Sequence, residues 1–561
     1  MMTRRGSSNH SYELLPTTDQ SNSRSRRPRS SGAYGCCRGT SFQRTLTRHR
    51  QTIRFSLYYA IRIILGGVTL LFLYVLWYGG IPPSYAKIRA QERALPQHHW
   101  NQKKSGKYVS EGPKYVRFPN HYWGRGLNNV LEEAMLSCHL VQAINRTYVF
   151  EDHVWSHLPL PYTFWQWTLR PVRVPMSSFL GGVLVGQDEE KIKLPLEQRS
   201  ISQEYFDYTC SSSDVVEVQY GMEEDEPPSV NDVVLPYPRR DAPGDEIVDW
   251  WARRMALPDV KDARCVVINE KRRRVWNWTF YSHSSILDYF PVFRQSHVFQ
   301  GFDWSPVVWG AAKRSLTASF FSSTTQDARR EELPSFSSNL TQRASIDEHF
   351  PRTLAIHLRM GDYDGHCLFL NKWNVEYLSF PFPESQGGGV RNSDTFDPSP
   401  FLKAIDDPQA AEAQRKAKLA YYMEHCLPSI TQVVKRLRNV RADYEADRDV
   451  GHGPRDSLSP KEQRAASRYR LNKVYILTNG KPAVMQELKQ ALLADDWEMV
   501  SATPDLEVGW SKLENAVSGA IDMAIAERAE VFVGNGFSSM SANVIMLRMA
   551  KGYRPYSHRL L

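Results

Sequence analysis

Three short stretches combine arginine, serine, asparagine and glycine turns, the residue types that hold a negatively charged group. In Ile356-His-Leu-Arg-Met-Gly-Asp-Tyr363, Arg359 ends an apolar run. A guanidinium at a strand's carboxyl end presents a planar fork of donors matched to diphosphate oxygens. Arg359 could equally close a structural ion pair with Asp362, and His357, set among apolar neighbours, suits a core position as well as a catalytic one. In Val531-Phe-Val-Gly-Asn-Gly-Phe-Ser-Ser-Met-Ser541, an apolar run feeds a Gly-Asn-Gly turn, then Ser538 and Ser539 ahead of a helical pattern over 542–549. Helix N–H groups and two hydroxyls can cradle a phosphate without a metal. A plain N-cap serine is the alternative. Tyr122-Trp-Gly-Arg-Gly-Leu-Asn-Asn129 precedes a helical pattern over 130–144 and a strand over 147–150. Such a glycine turn lets backbone approach a phosphate or sugar oxygen, although purely structural turns look the same. A strict GxGxxG, a GxSxG elbow and CxxC spacing are all missing, which argues against NAD binding, serine hydrolysis and a metal centre.

The elements that must position these residues are legible in the second half. Apolar runs at 354–358, 474–477 and 531–533 read as buried parallel strands. Helical patterns lie between them at 412–438, 482–494 and 512–528, the last with Leu513, Val517, Ala520, Ile521 and Ala524 on one face. Alternation of this kind predicts a doubly wound parallel sheet. The three strands end in Arg359-Met-Gly-Asp362, Thr478-Asn-Gly480 and Gly534-Asn-Gly536, and ligands bind beyond the carboxyl ends of such strands, so these ends should converge. Residues 113–330 alternate similarly around the acidic loop Glu223-Glu-Asp-Glu-Pro-Pro228; the Ser/Thr-rich 315–345 reads as a connection and 451–468 as an exposed insertion.

Together the motifs, in the order G-R-x-x-N-N, H-x-R-x-G-D and F-V-G-N-x-x-S-S, resemble the GDP-fucose protein O-fucosyltransferase superfamily, over about 115–165 and 352–552. The resemblance implies a GT-B-like α/β fold, with two Rossmann-like domains facing across a cleft, and inverting, metal-independent transfer from GDP-fucose. Residue by residue it implies that Arg359 holds the β-phosphate and stabilises departing GDP, and that Gly126 and Asn128 lie near the sugar and diphosphate. It further implies that Ser538 and Ser539 bind phosphate, that Asp522 hydrogen-bonds guanine, and that Asn535, with His357 and Asp362 of the middle motif, binds substrate. Arg125 occupies the place where some relatives carry a glutamate base; Asp152, Asp364 and Glu132 are the remaining candidates.

The chain has 561 residues, 42% of them hydrophobic, enough for two packed domains with tails. Its net charge of +9 is carried by residues 1–54, where eleven arginines face only Glu13 and Asp19, so the rest nets to zero and a nucleic-acid partner is not expected. That Ser- and Arg-rich tail is predicted to be disordered. No charge falls between Ile63 and Ser84, which places a transmembrane anchor in 55–84, with residues 1–54 cytosolic and the body lumenal. Domain boundaries follow: a stem over 85–112, an acceptor-side Rossmann-like domain over 113–330 and a GDP-sugar domain over 346–561. Of the five cysteines beyond Cys36 and Cys37, Cys138 is expected to be free, because its neighbours form an apolar helix face. Lumenal placement makes the sequons at Asn145, Asn277 and Asn339 meaningful, Asn145 being expected to be inaccessible. The expectation is a type II fucosyltransferase of the Golgi or ER acting on a protein or glycan acceptor. A GT-B transferase using another nucleotide sugar, and an inactive sugar- or nucleotide-binding protein of the same fold, are the alternatives.

Overall fold

Ten short strands pair entirely in parallel to make two sheets of five. The computed structural model describes residues 40–99, 112–119, 126–156, 160–165, 168–187, 194–221, 235–270, 272–320, 350–361, 363–449 and 470–561. Asp362, Arg125, Cys36, Cys37, Asn339, the acidic loop at 223–228, the connection from 321 to 345 and the 451–468 insertion lie outside them.

The chain divides into two compact units, Met1–Tyr74 and Val75–Leu561. Helix α1 (Thr40–Gly79) begins inside the tail that composition assigns to disorder. Its stretch Leu57–Trp77 is long and apolar enough to cross a membrane, and the side chains of Ile63, Leu70 and Trp77 are exposed. Pro82 and Pro83 keep the helix from continuing to residue 84. The segment expected to be a stem starts as folded structure: helix α2 (Ala86–Arg93) buries Ile88 and Glu92, and Gln97 donates to the carbonyls of Gly186 and Ser200.

The first sheet has the order β3-β2-β1-β5-β4, from β1 (Tyr115–Arg117), β2 (Thr147–Phe150), β3 (Ile201–Ser202), β4 (Val215–Gln219) and β5 (Cys265–Asn269). Helix α3 (Leu127–Ala143) links β1 to β2 and is buried on nearly every side, because it lies between this sheet and elements of the second half. Helix α4 (Pro306–Phe320) runs from the first half onto the second. The second sheet has the order β8-β7-β6-β9-β10, from β6 (Phe350–Leu358), β7 (Lys473–Thr478), β8 (Met499–Ala502), β9 (Ala529–Gly534) and β10 (His558–Leu560). Both β7 and β9 are buried along their whole length, as central parallel strands covered on two faces must be.

Around this sheet run α5 (Asp364–Trp373), α6 (Pro408–Cys426), α7 (Ile430–Asp449), α8 (Pro482–Leu493), α9 (Ser518–Arg528) and α10 (Ser539–Ala550). The helix expected over 412–438 is two helices, because Pro428 lacks an N–H and disfavours helical Leu427. The pattern over 512–528 breaks at Val517, ahead of the weak helix formers Ser518 and Gly519. Helix α9 is buried from Ala520 to Arg528 rather than on one face, since β6 and β9 pack on one side and α4 on another. The halves are joined within Val75–Leu561 by buried polar contacts, among them Trp304 Nε1 to Glu527 Oε2 at 2.6 Å and Trp510 Nε1 to Ser315 Oγ at 2.7 Å.

Disulfides join Cys210 to Cys265 and Cys367 to Cys426, and Cys138 is free and buried, as its apolar neighbours imply. Burial pushes its thiol up to about 12, so it is unreactive at neutral pH. Asn145, by contrast, is exposed at a turn after α3 and accepts a hydrogen bond from Gln198 at 3.0 Å. Asn277 uses its amide internally, capping a helix through Phe280 N and donating to the Arg240 carbonyl.

Candidate functional site

In the second sheet the first strand, β6, lies between β7 and β9, so the chain order reverses beside it. In open α/β sheets, ligands bind at such a switch point, outside the carboxyl ends of the strands. Leu358 pairs with Thr478 and Ile356 with Val533, which sets Arg359, Asn479 and the Asn535-Gly536 turn side by side. The three strand ends therefore converge as their sequence implies. Met360 N donates to Asn479 Oδ1 at 2.8 Å, and Gly361 turns the chain with φ +79°, a conformation that favours glycine.

Arg359 is partly exposed at this edge, its guanidinium 5.0 Å from the centre of the Tyr363 ring. Below it His357 is buried, with Nδ1 2.9 Å from Ser541 Oγ. Burial, assisted by the Arg359 charge, pushes the imidazole down to about 3, so it is neutral at neutral pH. His357 thus occupies the core position that its neighbours suggested, linked to the turn through Ser541. Ser541 Oγ accepts from Asn535 N at 2.9 Å and so joins β6 to that turn.

Asn535 is fully buried and uses both ends of its amide inside the protein. Nδ2 donates to the Cys426 carbonyl at 2.9 Å and Oδ1 accepts from Phe537 N at 3.0 Å. It shapes the turn and is not presented to a ligand. Gly536 has a different reason to be glycine: a Cβ there would stand 2.4 Å from Tyr377 Cδ1. Ser538 sits at the N-cap position of α10 yet makes no capping bond, which leaves its hydroxyl out of the plain structural role; Ser539 opens the helix and is partly exposed. The N–H groups of this first turn and the helix dipole favour an anion here.

Gly126 precedes α3 with φ +79°, and an added Cβ would meet nothing within 4 Å, so the backbone angle and not space calls for glycine. The Asn128 carbonyl accepts from Asn543 Nδ2 of α10 at 2.8 Å, while Asn128 Oδ1 is buried with no hydrogen-bond partner among the described residues. One helix, α10, thus carries the serine pair at its start and holds Asn128 from its side. Sequence reading missed Asn543. Its signal was an asparagine inside the apolar run 542–549, where a buried amide must find a partner.

Asp522 is buried one strand along, accepting from Tyr475 Oη at 2.5 Å and from Thr503 Oγ1 at 3.0 Å. Loss of water pushes its carboxyl up to about 8. The folded state therefore holds a proton that the unfolded chain releases near 3.8, and this contribution to stability is present below 3.8 and lost as pH rises through about 8. Asp522→Asn keeps an acceptor oxygen and cannot ionise. Thermal unfolding followed from about pH 6 to about pH 9 should show a smaller alkaline fall in the variant; equal falls would mean that Asp522 does not titrate there.

Of the candidate bases, Asp152 is paired with Arg89 at 2.5 Å, Asp364 is exposed in the first turn of α5, and Glu132 is buried in α3. Burial holds the Glu132 carboxyl well above the usual carboxylate range. Among the described residues no group of three or more His, Cys, Asp or Glu side chains is placed to hold a metal.

The two parallel sheets define an α/β protein in which Arg359 and the serine-bearing start of α10 lie at the switch point of the second sheet. No family model matches the chain, and no curated protein matches it. Solved structures that it is similar to include POFUT1 in complex with GDP-fucose, at 12% identity and a TM-score of 0.42 over 81% of this chain and 99% of that one. POFUT1 in complex with GDP gives 13% identity and a TM-score of 0.43 over 80% and 98%. The fucosyltransferase NodZ from Bradyrhizobium gives 12% identity and a TM-score of 0.30 over 79% and 94%.

Proposed function

We propose that the protein is an inverting, metal-independent glycosyltransferase that moves fucose from GDP-fucose to a hydroxyl of a protein or glycan acceptor. The observation that carries this reading is the gathering of Arg359, Ser538 and Ser539 at one switch point, with Asn128 held to the same helix by Asn543. As the bond from the sugar's anomeric carbon to the diphosphate breaks, the ring gains oxocarbenium character and negative charge grows on the leaving group. Arg359, the α10 N–H groups and the serine hydroxyls are fixed donors for that charge, in the place that a metal ion fills in other transferases. The two sheets then correspond to two Rossmann-like halves of a GT-B arrangement. The apolar stretch Leu57–Trp77 supports anchoring in a secretory-pathway membrane, and the two disulfides fit an oxidising lumen.

A second reading, transfer from another nucleotide sugar, is favoured by the engagement of Asp522 with Tyr475 and Thr503, which leaves guanine selectivity to other groups. Calorimetric titration of the full-length protein with GDP and with UDP separates the two. GDP binding with UDP inert supports the proposal, and preference for UDP replaces it. GDP-fucose binding without turnover on a mixed acceptor pool points to an inactive binding protein, and binding of neither nucleotide removes the nucleotide-sugar reading.

A further inference from the structure

Helix α5 begins five residues after Arg359, and with its N-cap residue Tyr363 it carries four aromatic rings in a row. The Tyr363 and His366 centroids lie 4.7 Å apart, His366 and Phe369 6.2 Å, and Phe369 and Trp373 6.2 Å. Their planes incline by 33°, 18° and 51°, so none of the three neighbouring pairs is perpendicular. The outer part of the row is open to solvent, with Phe369 52% and Trp373 57% exposed, and Leu368 beside them is 51% exposed. A single exposed apolar side chain is ordinary, but an ordered row of them on one short helix is not.

The ridge is held in place from behind. Cys367 and Leu370 point inward, and the disulfide from Cys367 to Cys426 pins α5 to the end of α6. The same Cys426 supplies the carbonyl that binds Asn535, so ridge and candidate donor site share one support. At its inner end the ridge runs directly into that site, because the ring of Tyr363 faces the Arg359 guanidinium.

We propose that this ridge is the acceptor platform of the site and that it takes a neutral oligosaccharide, laid along α5 with sugar faces stacked on Phe369 and Trp373. The inference rests on the transferase reading for the word acceptor, and on the ridge itself for the ligand class. The weakly positive C–H face of a pyranose complements the negative face of an aromatic ring. Asp364 and Lys372, both exposed along the helix, offer an acceptor and a donor for hydroxyls. A protein partner fits less well. A helix of 10 residues is about 15 Å long, and its exposed ridge is a small part of the roughly 800 Å² per side that a stable protein interface buries. A short glycan needs only such a strip.

The test uses the full-length protein in a detergent without a sugar headgroup. A panel of neutral oligosaccharides built from mannose, N-acetylglucosamine and galactose is titrated by calorimetry, alongside GDP. At least one oligosaccharide should bind, and Phe369→Ala with Trp373→Ala should weaken it by about tenfold or more while GDP affinity stays within about twofold. Phe369→Tyr, which keeps a stacking face and leaves Trp373 in place, should bind the oligosaccharide within about twofold of the wild type. An unchanged oligosaccharide affinity in the double variant, no oligosaccharide binding to the wild type, or binding of an apolar peptide to the ridge instead would each overturn the platform. Loss of GDP binding in the wild type with oligosaccharide binding retained would sink the transferase reading and leave the platform standing.

Discussion

Arg359→Ala is expected to lower transfer from GDP-fucose by about 10²–10³-fold, the loss typical when one preorganised donor to a developing negative charge is removed. The reason lies in where the side chain stands. β6 is at the switch point, and Arg359 is the first residue beyond it, beside the turn that leads into Ser538 and Ser539. Tyr363, four residues on at the N-cap of α5, backs the guanidinium at 5.0 Å. Arg359→Lys keeps the charge but not the planar fork, so it should recover only part of the loss. Steady-state kinetics should show the fall mainly in kcat, because the charge develops as GDP departs. GDP affinity should fall less than kcat, and a variant that loses GDP binding and rate equally would mean that Arg359 serves ground-state binding alone. His357 supplies a pH check on the same element. Its imidazole is held near 3, below the ordinary 6.5, so the folded state binds fewer protons than the unfolded chain between those values. Its contribution to stability is therefore complete above 6.5 and is lost as pH falls towards 3.

Much of this site could be read from residues alone, and the reasons differ by element. The central strands were legible because parallel strands buried on both faces are unbroken apolar runs, as 474–477 and 531–533 are. The edge strands β8 and β10 were not, because Met499–Ala502 and His558–Leu560 are short and only their register on β7 and β9 defines them. The glycine turns showed themselves as turns, but not which glycine answers to dihedral angle and which to a neighbour; Gly126 is the first kind and Gly536 the second. Asn535 and Asp522 stood in motif positions that suggested ligand contact. Phe537 N, two residues on, satisfies the Asn535 oxygen within the turn, but the other partners, Cys426 for Asn535 and Tyr475 and Thr503 for Asp522, are brought to them only by tertiary packing. Cysteine pairing was closed to sequence reading for the same reason: Cys367 and Cys426 meet because α5 packs on α6.

Gly536→Ala should be the most damaging small substitution in the turn, although alanine is usually harmless in a loop. The added methyl would lie 2.4 Å from Tyr377 Cδ1 and 2.5 Å from Cε1, well inside contact distance. Tyr377 is not free to yield. Its ring stacks on Phe396 at 4.7 Å, meets Phe537 edge-on at 4.9 Å, and its hydroxyl is 3.0 Å from His425 Nδ1. The turn is also tied to the residue after Tyr377, where Leu378 N donates to the Gly536 carbonyl at 2.9 Å. Overpacking of this kind costs about 1–3 kcal/mol, and the least constrained response is for the turn to lift away from Tyr377. That movement would carry Ser538 and Ser539 with it, since Ser538 N donates to the Asn535 carbonyl at 3.0 Å. A displaced cradle loses several charge-assisted bonds together, so GDP affinity should drop by about tenfold or more for each 1.4 kcal/mol of lost contact. Gly126→Ala is the informative comparison, because it adds backbone strain without a clash and lies in the other half. Calorimetry and thermal unfolding on both variants decide the matter. If Gly536→Ala binds GDP as the wild type does and unfolds at the same temperature, the Tyr377 ring does not set the position of the turn; if it fails to bind GDP while Gly126→Ala still binds, the donor cradle is the turn that Tyr377 supports.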